Sequence, residues 1–61
     1  MNTYKPYSYG VKKTNDGRFM VCYHSCGGVM SLQKIIDSYE DAYNCALAYN
    51  FGKAENTFVE I

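Results

Sequence analysis

The sequence predicts a single α+β domain of two layers, in which a three-stranded antiparallel sheet packs against one helix. Three observations lead to this prediction: an apolar period of helical spacing in the C-terminal half, segments of alternating apolar residues before it, and turn residues between those segments. The chain has 61 residues, which suits one domain with a small core. We therefore expect marginal stability, of roughly 3–5 kcal/mol.

The segment from residue 36 to residue 50 is the one predicted helix. Ser38 can cap its first turn, and Asp41 stands three residues later, which is the spacing of a capping box. Gly52 supplies the left-handed residue at which helices commonly end. One face carries small or aromatic side chains at the i, i+3, i+4, i+7 spacing, so a flat sheet can approach it closely. This face consists of Ala42, Cys45, Ala46 and Tyr49.

The segments before the helix alternate in the way that strands do. Residues 7–13 and 18–24 are predicted strands, joined by a turn at residues 14–17 that ends in Asn-Asp-Gly. A second turn at residues 25–28 leads into a third strand over residues 29–36. The register of the third strand stays open, since two sets of apolar residues can face inward. These sets are Met30, Leu32 and Ile36, or Val29 and Ile35.

The predicted core lies between the helix and the sheet. In the second strand the aromatic and β-branched set, which is Phe19, Val21 and Tyr23, is expected to face the core. Residues 57–61 also alternate, which is typical of a short fourth strand. In the first strand one face carries Tyr7, Tyr9, Val11 and Lys13, and the other carries Ser8, Gly10 and Lys12.

The three cysteines indicate neither a disulfide framework nor a metal site. In a regular strand Cys22 and Cys26 would lie about 13 Å apart, too far for one zinc ion, and only a sharp bend at Ser25 would bring them together. We expect Cys45 in the core and both Cys22 and His24 on the sheet surface. No orienting group for a Cys–His nucleophile and no phosphate-binding loop is evident, so we expect no metal, cofactor or catalytic residue.

The chain also shows no apolar run of membrane-spanning length and no apolar leader at its N-terminus. Together with the odd number of cysteines, this predicts a cytoplasmic protein without a membrane partner.

Charge is unevenly distributed, although the formal net charge is zero. Residues 1–34 carry a net charge of +4 and residues 35–61 a net charge of −4. A sheet built from the first half would attract polyanions to its exposed face. The residues available for polyanion contact are Lys12, Lys13, Arg18 and Lys34.

Aromatic residues point to protein contacts. The chain holds seven tyrosines, and tyrosine is enriched where proteins bind one another. On the predicted helix three large side chains form a second ridge at the i, i+4, i+8 spacing. If the last strand leaves this ridge uncovered, we expect it to serve self-association or a partner protein. The ridge consists of Tyr43, Leu47 and Phe51.

Three segments carry a family resemblance: residues 9–12 (Tyr-Gly-Val-Lys), 17–21 (Gly-Arg-Phe-Met-Val) and 36–42 (Ile-Asp-Ser-Tyr-Glu-Asp-Ala). Together they resemble AP2-type and phage-integrase N-terminal domains over roughly residues 7–50. Phe19 stands at the family's aromatic position after the turn glycine, Ile36 at its phenylalanine, and Ser38 at its threonine cap. The resemblance implies a three-stranded sheet on one helix, in a small phage or mobile-element protein. DNA-binding members of this family lay the exposed face of the sheet into the major groove, so the resemblance implies the same face for any DNA contact of this chain.

From these observations we expect a non-enzymatic interaction module, encoded by a phage or mobile element and acting in the host cytoplasm. It would bind and inhibit a host protein or a nucleic-acid-handling complex such as a defence system. The alternative is a small DNA-binding regulator or recombination accessory protein that uses the exposed sheet face. Among the four cations, only Arg18 has the planar fork that reads guanine.

Overall fold

The computed structural model describes residues 7–25 and 30–60, which form four strands and one α-helix. The elements are β1 (Ser8–Lys13), β2 (Phe19–His24), β3 (Met30–Ile36), α1 (Tyr39–Tyr49), a turn of 3-10 helix (Ala54–Asn56) and β4 (Phe58–Glu60). In the sheet, β1 pairs antiparallel with β2 and β2 pairs antiparallel with β3, whereas β4 pairs parallel with β1, so the strand order is β3-β2-β1-β4. The α+β fold, the three-stranded meander and the short fourth strand are therefore confirmed.

The helix α1 begins as its capping residues predict. The Ser38 hydroxyl accepts a hydrogen bond from the Asp41 backbone N–H at 3.4 Å, and two acidic residues in the first turn suit the positive end of the helix dipole. Ala42 and Ala46 are fully buried, and their small side chains let α1 lie close against β1, β2 and β3. None of the described helices is both long and apolar enough to cross a bilayer.

The core lies between α1 and the sheet. At its centre Val11 and Val21 meet the two buried alanines of the helix. The inward face predicted for the second strand is thus confirmed, and in the first strand the inward face is the one that contains Val11. Partly buried side chains surround this centre, namely Tyr9, Phe19, Ile36, Tyr43 and Cys45.

A bulge interrupts the pairing of β3 with β2. Leu32 lies opposite Cys22, but Lys34 lies opposite Val21, so Gln33 is an extra residue in β3. Residues paired across antiparallel strands point to the same side of the sheet. Lys34 therefore shares the helix side with Val21, and Leu32 shares the other side with Cys22.

Neither of the two registers predicted for β3 occurs, because each assumed regular alternation. Ile36 lies opposite Phe19 and packs on the helix side, as one alternative held. Leu32 and Ile35 lie on the other side and are 55% and 43% exposed, so the inward placement of either residue was wrong. Val29 lies outside the described residues.

The face of the sheet away from α1 carries a small second core. Gly10 pairs with Cys22 on one side and with Phe58 on the other, and a Cβ atom at Gly10 would overlap both the ring and the backbone carbonyl of Phe58. The ring therefore lies over Gly10, and both Phe58 and Cys22 are 3% exposed. The expectation that Cys22 lies on the sheet surface is wrong, because β4 brings a large ring beside it.

Replacing Gly10 with alanine should displace the Phe58 ring and lower the free energy of unfolding by about 1–3 kcal/mol, the usual range for overpacking. Urea denaturation measures this loss. In a double-mutant cycle, Gly10→Ala should cost less stability when Phe58 has been replaced with leucine than it does in the wild-type protein, because the overlap with the ring is then relieved. Strict additivity of the two changes would contradict the proposed contact.

The side chain of Asn50 joins α1 to the sheet. Its Oδ1 accepts a hydrogen bond from the Tyr9 N–H at 2.9 Å, and its Nδ2 donates to the Tyr9 carbonyl at 3.0 Å and to the Thr57 hydroxyl at 2.9 Å. The first residue of β4 pairs with Gly10, so Asn50 completes the hydrogen bonding of β1 where β4 has not yet begun. We refer to these three hydrogen bonds as the Asn50 clasp.

Asn50→Ala should lower the free energy of unfolding by more than about 2 kcal/mol, since it leaves the N–H and the carbonyl of Tyr9 without partners in a buried setting. Chemical denaturation measures the change. Asn44→Ala is the matched control, because Asn44 is exposed on the same helix. Equal stability of the two variants would show that the clasp contributes little.

Candidate functional site: an aromatic surface at the end of the helix

The turn that ends α1 has an unusual residue at its left-handed position. Gly52 donates its N–H to the Leu47 carbonyl at 2.8 Å, and Phe51 donates its N–H to the Ala48 carbonyl at 3.0 Å, which together make a Schellman motif. The motif places Phe51 at the left-handed position, with φ of 59°. Gly52 has a positive φ of 76°, as expected, but Phe51 rather than Gly52 occupies the left-handed position that ends the helix.

Phe51 does not help the fold in an evident way. A residue with a Cβ atom in the left-handed conformation costs about 1–2 kcal/mol, which is why glycine is preferred here. The Phe51 side chain is 90% exposed, so burial does not offset that cost. A large ring is therefore held in solvent on a strained backbone, which is an arrangement found at functional sites.

Tyr7 repeats this arrangement before β1. Among the described residues, Tyr7 and Phe51 are the two residues other than glycine with positive φ, and Tyr7 has φ of 64°. They are also the two most exposed large hydrophobic residues there, with Tyr7 at 69%. Its N–H donates to the His24 carbonyl at 2.7 Å, which places Tyr7 beside the end of β2.

Two further tyrosines pack against Tyr9. The Tyr9 ring stacks on Tyr49 with a centroid distance of 4.7 Å and an interplanar angle of 20°. It also contacts Tyr23, with centroids 4.9 Å apart. Because the start of β1, the end of β2 and the end of α1 meet here, we define the aromatic surface as Tyr7, Tyr9, Tyr23, Tyr49 and Phe51.

The ridge predicted on the helix is only partly present as a solvent-facing feature. Tyr43 packs against the core and Leu47 is half-buried, whereas Phe51 lies beyond the last helical residue. A partner contact through Tyr43 and Leu47 stays a prediction. Sequence reasoning did not group the tyrosines with Phe51, although a phenylalanine directly before the glycine that ends a helix is a signal that could have found it.

Two of the four predicted polyanion contacts are paired with acidic groups. Lys12 Nζ lies 3.6 Å from a carboxylate oxygen of Glu60, and Arg18 donates to Asp16 Oδ2 from Nε at 3.1 Å and from Nη2 at 2.8 Å. The hydrogen bonds from Arg18 and from the Thr14 hydroxyl lower the pKa of Asp16 from 3.8 to about 2. Asp16 is therefore ionised at neutral pH and holds Arg18 in the turn.

The four cations do not share one face of the sheet. Lys34 lies opposite Val21, on the side of α1, whereas Lys12 lies opposite Met20 on the other side. Lys13 ends β1 and is exposed at the hairpin. A polyanion contact that uses all four residues stays a prediction, and the structure does not bring them together.

The described residues contain no group of three or more His, Cys, Asp or Glu side chains that could hold a metal ion. A shallow groove of about 440 Å³ beside the first turn is lined in part by Asp16 and Arg18, whose side chains are hydrogen-bonded to each other. Burial raises the pKa of the Cys22 thiol, so this thiol is protonated at neutral pH and a poor nucleophile. Cys26, the other cysteine considered for zinc, lies outside the described residues.

No protein-family model matches the chain, and no curated protein and no solved structure shows significant similarity to it. The resemblance to AP2-type and phage-integrase N-terminal domains thus stays a prediction. Among the surfaces of the described residues, the aromatic surface is the most distinctive.

Removing the strain at position 51 should stabilise the fold. Phe51→Gly should raise the free energy of unfolding by about 1 kcal/mol, because glycine adopts a positive φ without a Cβ penalty. Phe51→Ala is the matched control, since it also removes the ring but keeps the Cβ atom. If denaturation curves show the glycine variant to be no more stable than the alanine variant, the backbone at this position is not strained.

Proposed function

We propose that the chain is a non-enzymatic binding module that recognises a protein partner through the aromatic surface. The observation that carries the proposal is the ring of Phe51, exposed on a backbone position where glycine is preferred. A residue that lowers stability and buries nothing within the chain has its use outside the chain. A contact with another molecule would supply the burial that folding does not.

The chemistry of the aromatic surface suits a protein. Tyrosine and phenylalanine provide large rigid contact areas and are enriched at the centres of protein interfaces. The stack of Tyr9 on Tyr49 orders two of the rings before any partner arrives, which lowers the entropy lost on binding. None of the five residues carries a charge at neutral pH, so the surface favours apolar and hydrogen-bonding partners over polyanions.

The alternative, a DNA-binding regulator that uses the open face of the sheet, has less support. That face presents Met20, Leu32 and Ile35 beside Lys12, whose charge is paired with Glu60. Phosphate contacts require cations directed at the backbone of the duplex. Arg18, the residue suited to reading guanine, is engaged by Asp16.

The size of the chain and its resemblance to phage domains suggest that the partner is a host protein or complex, which the module would inhibit by occupying one of its surfaces. A small rigid domain with an ordered aromatic surface is suited to this mode of action. The aromatic surface provides the means of binding, and the phage origin and the inhibited complex are inferred from the size of the chain and the resemblance.

The binding test uses two variants of one residue. Immobilised wild-type protein should retain a partner from host extract, and Phe51→Tyr, which keeps the ring, should retain it equally well. Phe51→Gly should bind the purified partner at least about thirtyfold more weakly by calorimetry, since truncation of an aromatic hot-spot residue costs about 2 kcal/mol or more.

Loss of binding by Phe51→Gly cannot be attributed to unfolding, because this change is expected to stabilise the fold. If the glycine variant retains the same proteins with unchanged affinity, Phe51 is not a binding residue. The proposal then fails.

A further inference from the structure

The outer edge of β3 is a second surface, separate from the aromatic surface. With seven residues β3 is the longest strand, and within the described sheet β2 is its single neighbour. Its five central residues are all exposed. Edge strands of this kind present a row of backbone donors and acceptors to which another strand can pair.

The two edges of the sheet differ in how they are protected. The opposite edge strand, β4, has three residues and carries Glu60, which pairs with Lys12. In β3, Lys34 is the one charged residue, no proline interrupts the strand, and Leu32 and Ile35 are exposed. The bulge and the helix-side position of Lys34 are features that help to keep an edge strand unpaired, but they leave Leu32 and Ile35 exposed together on the open face.

The bulge at Gln33 makes β3 complementary to a second copy of itself. Two antiparallel copies related by a two-fold axis can place Leu32 opposite Ile35 of the other copy. In a regular strand these two residues would point to opposite faces, and the register would fail. The bulge turns both to the open face, so that opposed side chains match.

The neighbouring positions agree with the same register. Ser31 falls opposite Ile36 of the second copy, and both lie on the helix side. Gln33 falls opposite Lys34, so no like charges oppose each other. A shift of one residue would place Leu32 opposite Lys34, which point to different faces. The register with Leu32 opposite Ile35 therefore agrees with the pleat at both apolar residues and at the Ser31–Ile36 pair.

We propose that β3 is a homodimer interface, in which two copies pair β3 to β3 antiparallel and form one continuous sheet with Leu32 against Ile35 across the two-fold axis. The contact is isologous, as expected for a dimer of identical chains. It leaves the aromatic surface of each copy uncovered, since that surface is built from β1, β2 and α1. The dimer would present two binding surfaces and bind a repeated partner with increased avidity.

Sedimentation equilibrium under reducing conditions tests the association. The wild-type protein should show a dimer mass, and Leu32→Lys should sediment as a monomer. Phe51→Lys is the control, because it places the same charge on the aromatic surface and should leave the dimer intact. Circular dichroism establishes that each variant is folded, and Leu32→Ser serves as a milder second variant at the same position.

A mixing experiment tests the register. Leu32→Lys and Ile35→Glu should each be monomeric alone, because in each homodimer the introduced charge would face an apolar side chain of the other copy. An equimolar mixture should form a heterodimer, in which the introduced lysine faces the introduced glutamate. Leu32→Lys mixed with Ile35→Lys is the control, and it should remain monomeric because two lysines then face each other.

Three results would overturn the proposal: a monomeric wild-type protein at concentrations up to about 1 mM, the weak limit of specific association; a dimer that survives Leu32→Lys; or no association in the mixture of the two β3 variants. A wild-type monomer that still binds a partner through Phe51 would refute the dimer alone. A dimer that binds no partner would refute the binding module alone.

Discussion

The Asn50 clasp is the contact on which the arrangement of the remaining elements depends. A single amide satisfies both backbone groups of Tyr9 and reaches Thr57, so it holds the end of α1, the start of β1 and the approach to β4 together. The two neighbours of Asn50 take their positions from it. Tyr49 stacks on Tyr9, and Phe51 lies beyond the helix in solvent. The clasp thus links the stability of the domain to the shape of its aromatic surface.

Small residues allow this chain to bury side chains on both faces of the sheet. Ala42 and Ala46 let the helix approach one face, and Gly10 lets the ring of Phe58 close over the other. A chain of 61 residues that divides its core in this way has little volume left for an enclosed pocket. Several of the large side chains in the described residues are exposed at the surface, and this is where we place both of the proposed interactions.

The sequence was sufficient for the features that depend on neighbouring residues. The helix, its cap at Ser38, the hairpin turn at residues 14–17 and the inward face of the second strand all follow from signals within a few positions of one another. Local steric and hydrogen-bonding preferences determine these features, and the tertiary structure retains them. The predicted candidate residues were partly found in the same way, since Phe51 was named from its spacing on the helix.

The tertiary structure decided what depends on residues far apart in the chain. The bulge at Gln33 exists because β3 must match β2 while Ile36 reaches the core, and it turned Leu32 and Ile35 outward together. The burial of Cys22 depends on Phe58, and the grouping of the tyrosines depends on where three elements end. Apolar spacing identifies which side chains can be buried, but long-range pairing selects the face on which each one lies, because a shift of one residue in a strand exchanges the two sides.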